Sequence, residues 1–402
     1  MIRVLNGVRV VEHGTFITGP AASMLLADLG ADVVKVELPG TGDPFRAFKG
    51  GLYSPHYQTY NRNKRSVTLN TKQPADLEQF DELVREADVY IQNFRPGVAE
   101  QIGAGEERLR KLNPSLIFCA ISGFGATGPA SHRPTYDTVA QAASGFLGLL
   151  INPANPRVLG PAMADSLTGF YAAYGILGAL HERHATGTGR KVEVSMFEAM
   201  AHFNLDAFQH LFSANEVMGP FSRPRVSQSY VLKCSDGKWI ALHMSSPAKF
   251  WQGLAAAMER PDIFDDPRFA SREARIDNQE AMIETLGPIF AARDRPQWCR
   301  RLEANDVPHA PMYTTAEVPD DPQAKHLQLF VETTHPEVGR FRSVRSPVSF
   351  DGERALEITA PPLLGEHNAQ LGKGWPERPA GKAKAPGDLS VPSVHQSTGD
   401  KP

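Results

Sequence analysis

Residues 7–37 read Gly7-Val8-Arg9-Val10-Val11-Glu12-His13-Gly14-Thr15-Phe16-Ile17-Thr18-Gly19-Pro20-Ala21-Ala22-Ser23-Met24-Leu25-Leu26-Ala27-Asp28-Leu29-Gly30-Ala31-Asp32-Val33-Val34-Lys35-Val36-Glu37. Val8 to Glu12 has the β-branched character of a strand. Gly19-Pro20 opens a helix that runs to about Leu29, with proline in its first turn and Gly30 at its end. Asp32 to Glu37 is a second strand. Strand, helix and strand within about thirty residues make a βαβ unit.

The pattern continues outward from that unit. Ser66 to Leu69, Val89 to Gln92 and Ser115 to Ser122 read as strands, and Pro74 to Glu86 as an amphipathic helix. This predicts an open parallel α/β sheet that takes ligands at the carboxyl ends of its strands. The first turn lacks G-x-G-x-x-G, which counts against a nicotinamide-dependent dehydrogenase.

The middle of the chain is helical over Asp137 to Leu150, Ser166 to His184 and Met196 to Phe212, with a strand at Lys191 to Ser195. Met218 to Ser229 reads as a linker. Tyr230 to Cys234 and Lys238 to His243 flank Ser235-Asp236-Gly237, a hairpin with a D-G turn. Helices are expected at about 247–258, 277–292 and 295–305, and an antiparallel pair around Gly339 within Phe330 to Phe350. The expected division is a large domain over 1–217, a small α/β domain over 229–318, a return to the large domain over 330–372, and a disordered tail over 373–402.

The chain has 402 residues, 41% hydrophobic and 22% charged, with net charge −3. That is an ordinary globular composition with no basic excess for nucleic acid. Cys119, Cys234 and Cys299 are scattered and show no metal-ligand spacing. No stretch has signal-peptide or membrane-spanning character, so a cytoplasmic enzyme without a metal is expected.

Asp165 is the candidate for the chemistry. It lies in Gly160-Pro161-Ala162-Met163-Ala164-Asp165-Ser166-Leu167-Thr168-Gly169-Phe170, at the start of a helix and among small residues. A carboxylate there meets unpaired N–H groups, and small neighbours let a bulky substrate approach. It could attack an activated acyl group as a nucleophile, or serve only as an N-cap.

An ordered set of segments carries a family resemblance. It runs through Gly7-Val8-Arg9-Val10-Val11-Glu12, Gly19-Pro20, Leu26 to Glu37, Gly42-Asp43-Pro44 with Arg46, and Asn61-Arg62-Asn63-Lys64-Arg65-Ser66. Asn93-Phe94-Arg95-Pro96-Gly97, Ser122 to Pro129, Tyr136-Asp137 with Gln141-Ala142, the Asp165 segment and Thr186 to Arg190 follow. Asp265 to Phe269, Arg275 with Asn278, and Ala360 to His367 complete it, and the set as a whole resembles the class III CoA-transferases.

The resemblance implies a Rossmann-like large domain built from both chain ends, a smaller α/β domain, and a homodimer of interlocked chains. It implies CoA transfer from an acyl-CoA donor, such as succinyl-CoA or another small acyl-CoA, to a carboxylic acid. Asp165 would carry aspartyl anhydride and aspartyl-CoA thioester intermediates. No tightly bound cofactor is implied, because the CoA thioester is substrate. The residues carried over for CoA are Thr15, Phe16, Ile17, Thr18, Leu69, Lys72, Asn93, Phe94, Arg95 and Tyr136.

Leu38-Pro39 stands where relatives often carry arginine, so phosphate binding passes to Arg46 or Lys72. Gln101 replaces another frequent arginine, and no glycine-rich loop precedes Tyr230, which counts against oxalate and formyl-CoA as substrates. Arg133, Arg157 and Arg223 are candidates for a second substrate carboxylate, and His13 for the site wall. An α-methylacyl-CoA racemase of the same fold is the alternative. It needs a histidine where Tyr136 stands, and a phenol titrating near pH ~10 is a poor base. A non-catalytic CoA-binding protein is a further alternative.

Overall fold

The computed structural model describes residues 4–245, 248–355 and 357–378. Six parallel strands form one sheet: β1 (Arg9–His13), β2 (Asp32–Glu37), β3 (Lys64–Thr68), β4 (Val89–Gln92), β5 (Ile117–Ser122) and β6 (Lys191–Ser195). Their order is β3-β2-β1-β4-β5-β6. The chain winds one way from β1 to β3 and the other way from β4 to β6. β1 therefore pairs with both β2 and β4, Val11 lying opposite Val34 on one side and Tyr90 on the other. The crevice between the β1 and β4 carboxyl ends is the switch point where such sheets bind ligands.

Both faces of the sheet are packed. One carries Val10, Val33, Ile91 and Cys119 against the helices Thr18–Asp28 and Met163–Thr186. The other carries Val11, Val34, Tyr90 and Phe118 against Phe80 and Val84 of the helix Pro74–Arg85. Strands buried on both faces give the near-continuous apolar runs seen in β4 and β5.

Charges are also buried at the strand ends. Lys35 Nζ lies 2.6 Å from Glu12 Oε1 and 2.9 Å from Asp43 Oδ2, and Lys64 Nζ lies 2.8 Å from Glu12 Oε2. Burial pushes the Glu12 carboxyl up, but Lys35 and Lys64 together hold it down at about 2. Removing one partner from such a cluster would strand a buried charge, which costs about 3–5 kcal/mol.

β7 (Ser229–Lys233), β8 (Trp239–His243) and β9 (His309–Pro311) form an antiparallel sheet with a separate core around Trp251, Phe290 and Trp298. β10 (Phe330–His335) and β11 (Gly339–Val344) form a hairpin. The chain then returns to the parallel sheet, where the His367 N–H donates to the Ser66 carbonyl.

Several expectations change. The helix expected over Asp137 to Leu150 ends at Ala143, because Gly145 takes φ +80° and a 3₁₀ turn follows at Phe146–Leu149. The helix expected over Met196 to Phe212 breaks at Asn204, which ends one helix and begins the next at Leu205. The expected linker contains a short helix, Ser222–Val226. In the stretch expected to begin the tail, Trp375 is buried against the sheet core, with its indole N–H donating to the Leu83 carbonyl at 3.0 Å. The rest of the expected tail, 379–402, lies outside the described residues.

Candidate active site

Two short loops meet at the switch point. After β1 the chain turns through Gly14-Thr15-Phe16-Ile17 into the helix Thr18–Asp28, and after β4 it passes through Asn93-Phe94-Arg95. The Thr15 N–H donates to Asn93 Oδ1 at 2.9 Å, while Asn93 Nδ2 donates to the Thr15 carbonyl at 2.8 Å and to Thr18 Oγ1 at 2.9 Å. Phe16 has φ +61°, a left-handed backbone that a non-glycine residue adopts only under constraint. The constraint is Asp43, whose Oδ1 accepts the Phe16 N–H at 3.1 Å. The loop thus reaches the helix N-terminus without a glycine fingerprint.

The Phe16 ring links this loop to the next element. It stands edge-on to Phe45 at 5.2 Å and to Tyr136 at 6.2 Å. Tyr136 is 65% exposed and directly precedes the helix Asp137–Ala143. Asp165 is half-buried in the first turn of the long helix Met163–Thr186. The cap position belongs to Ala162, which has no side-chain acceptor. Asp137 acts in its place: its Oδ1 accepts the N–H of Ala164 at 2.7 Å and of Asp165 at 3.4 Å. Asp165 is therefore not the cap of its own helix, and its carboxylate is free for other work.

Burial first, and the Asp137 charge second, raise the Asp165 carboxyl to about 7. A carboxylate made this basic is a better nucleophile once ionised. Tyr60 reaches the same turn, its hydroxyl 3.4 Å from Ser166 Oγ.

The carried-over residues fall into groups. Thr15 to Thr18, Asn93 and Phe94 converge at the switch point, and Phe16 bridges them to Tyr136 and the Asp165 turn. Asn93 and Thr18 spend their side-chain bonds on each other and on Thr15. Leu69 is buried just beyond β3, and Lys72 is exposed nearby. Adjacent strands lie about 4.8 Å apart, so the β3 end is about 10 Å from β1, within reach of an extended ligand.

Arg46 departs from its expected role. Its guanidinium is fully buried, donating from Nε and Nη2 to the Glu37 carboxylate at 2.7 Å each, with Tyr57 and the Leu52 and Pro362 carbonyls completing its partners. It stabilises Glu37 at the end of β2 and offers nothing to a phosphate. Lys72 and Arg95 are the exposed cations of the set. His13 has its Nδ1 3.2 Å from the Tyr90 hydroxyl and packs edge-on to Phe94 at 5.0 Å. Burial, with Lys35 adding to it, lowers His13 to about 4 and keeps it neutral. Arg133 lies over the Phe124 ring, 4.9 Å from its centroid. A cleft of about 750 Å³ beside the crevice is lined by Phe94, Arg95, Ser122, Phe124 and Phe197.

Residues 5–368 match the profile described as CoA-transferase family III. The chain belongs to this family. It is 33% identical to the formyl-CoA:oxalate CoA-transferase of Streptomyces avermitilis, over 92% of this chain and 95% of that one. It is 31% identical to the human succinyl-CoA:glutarate CoA-transferase, over 92% and 85% of the two chains. Among solved structures it superposes on a CAIB/BAIF family protein from Brucella suis with TM-score 0.81 and 31% identity, covering 91% of this chain and 98% of that one. This family III chain has no helix long and apolar enough to cross a membrane among its described residues, nor a group of three or more His, Cys, Asp or Glu side chains placed to hold a metal ion.

Sequence reading gives no role to Asp137, which stands beside Tyr136 as an acidic residue opening a helix. Its partners lie 27 and 28 residues further along the chain, and no local pattern announces them.

Proposed function

We propose that this protein moves CoA from a small acyl-CoA, succinyl-CoA among the candidates, to a carboxylic acid, with Asp165 as the covalent nucleophile. The observation that carries the reading is an Asp165 carboxylate left free of capping and made basic by burial and Asp137. Asp165 attacks the donor thioester carbonyl, the C–S bond breaks, and CoA leaves as thiolate. The thiolate attacks the Asp165 carbonyl of the resulting anhydride, expelling the donor acid and leaving an aspartyl-CoA thioester. The acceptor carboxylate then displaces the thiolate, and the thiolate attacks the acceptor's acyl carbon. This releases acceptor-CoA and restores Asp165. Each step exchanges one activated acyl bond for another, so no outside energy source is needed.

CoA would enter at the switch point, its pyrophosphate near the N–H groups that open the helix Thr18–Asp28 and its other end toward Tyr136. Lys72 and Arg95 would meet the phosphates. Phe16 and Tyr136 would wall the thioester and keep water from the intermediates.

The large and small domains, and the interlocked homodimer, belong to the same reading. Phe170, Tyr174 and Leu177 are exposed at the spacing of one helix face, and such a stripe on the helix that carries Asp165 suits a second copy of the chain.

The test is intact-mass and peptide mapping after incubation with a panel of acyl-CoA donors, followed by hydroxylamine trapping. A CoA adduct or trapped product on Asp165, absent from Asp165→Ala, is expected. Absence of any adduct, together with deuterium uptake at the α-carbon of a 2-methylacyl-CoA, would replace this reading with the racemase.

A further inference from the structure

Next to Asp137 lies a buried side chain to which the steps above give no task. Gln141 stands one turn after Asp137 on the same helix and is fully buried. Its Nε2 donates to Asp137 Oδ2 at 2.6 Å. Its Oε1 is buried with no donor among the described residues. An acceptor left unmet costs about 1–3 kcal/mol, so an aliphatic side chain of similar length would pack there at lower cost. The amide is therefore poorly explained by packing, and well explained by the bond it makes to Asp137.

The two oxygens of Asp137 are held from opposite sides. Oδ1 takes the N–H groups of Ala164 and Asp165, and Oδ2 takes the Gln141 amide. We infer that Gln141 is a positioning residue for the nucleophile: through Asp137 it fixes the helix turn that carries Asp165 and keeps a negative charge beside it. This rests on the Asp165 reading given above. Donors on both oxygens hold the Asp137 carboxylate in one orientation beside Asp165. That charge offsets the positive end of the helix dipole, which would otherwise make Asp165 a weaker base.

The other groups around this turn are accounted for. Tyr136 precedes Asp137, and the Tyr60 hydroxyl meets Ser166. The helix Met196–Phe203 packs Met196 and Met200 against Ala164. Its titratable members are tied elsewhere, Glu198 to Ser195 and His202 to Tyr171. The helix Thr18–Asp28 meets the long helix through Thr18, Ala21 and Ala22 at Gly169.

The test uses the full-length protein and the donor that labels Asp165. It measures kcat, KM and the pH profile of kcat/KM for Gln141→Met, Asp137→Asn, the double variant and Gln141→Glu. Gln141→Met should lower kcat about 10–100-fold, as a small misplacement of a reacting group does, while leaving KM for acyl-CoA within about 2-fold. The acid limb of its profile should move to lower pH, because an Asp137 carboxylate free to turn away raises Asp165 less. In the Asp137→Asn background the same substitution should move neither kcat nor the limb further. Gln141→Glu, of the same size and able to donate an O–H to Asp137, should restore most of the activity and keeps the test open if the methionine variant fails to fold. A wild-type profile for Gln141→Met, equal losses in both backgrounds, or a glutamate variant as impaired as methionine would overturn the inference. Labelling of wild-type protein at a residue other than Asp165 would instead remove the reading on which it rests.

Discussion

Asn93 and Thr15 hold each other in both directions, the Thr15 N–H donating to Asn93 Oδ1 at 2.9 Å and Asn93 Nδ2 donating to the Thr15 carbonyl at 2.8 Å. One side chain at the end of β4 thereby replaces a backbone pairing between loops that leave the sheet in different directions. Its third bond, to Thr18 Oγ1, fixes the first turn of the following helix.

Asn93→Ala should cost about 2–4 kcal/mol, since it removes three hydrogen bonds and leaves the Thr15 N–H without its acceptor. The apparent KM for acyl-CoA should rise several-fold as the loop loosens. Thermal unfolding with and without CoA measures both effects. An unchanged melting temperature would contradict the structural role given to Asn93.

With Asp165 as the proposed nucleophile, transfer needs its ionised form, so kcat/KM should climb as pH rises toward about 7 and level off above it. Stability should run the other way. The folded protein holds this proton to about 7, against 3.8 for the free side chain. The unfolded chain therefore binds fewer protons between those values, and stability falls as pH rises through that window. Asp165→Asn should match the wild-type melting temperature below about pH 4. It should exceed it increasingly up to about pH 7 and by a constant margin beyond. A variant with no advantage at pH 8 would contradict the raised proton affinity.

Two glycines on the long helix should respond oppositely to alanine. A Cβ on Gly169 would lie 2.7 Å from Ala21 Cβ and 2.9 Å from the Thr18 carbonyl oxygen, while one on Gly178 meets nothing within 4 Å. Gly169→Ala should destabilise by about 1–3 kcal/mol and disturb the Thr18 turn. Gly178→Ala should stabilise by up to about 1 kcal/mol through helix propensity. Denaturant unfolding of both variants decides it, and equal signs would contradict the close approach at Gly169.

Trp375→Ala should cost about 3–5 kcal/mol, the usual penalty for emptying a buried tryptophan site. The ring closes the lower sheet core, and Arg9 and Arg65 lie over it at 5.9 and 5.1 Å. A chain shortened to residue 372 should lose as much. If both variants melt with the wild type, Trp375 does not belong to the core.

The sequence by itself determined the parallel sheet, because short β-branched or apolar runs alternate along it with helical segments. Proline and glycine at the two ends marked the first helix. It also singled out Asp165, whose small neighbours are readable in one window of the chain. The break at Asn204 was not legible, since apolar spacing continues through it. Nor was the fate of Arg46: a lone arginine after a strand reads the same whether a phosphate or a buried glutamate awaits it, and only the packed β2–β3 end shows that Glu37 takes it. Tertiary structure also decided that Asp165 is no cap. Its helix begins two residues before it, and the unpaired N–H groups of that first turn, on Ala164 and Asp165, are taken by Asp137, brought from a helix that begins 28 residues earlier. Local periodicity records which face of an element is buried. It does not record which distant side chain arrives to meet an unpaired donor, as Asp137 does at the turn that carries Asp165.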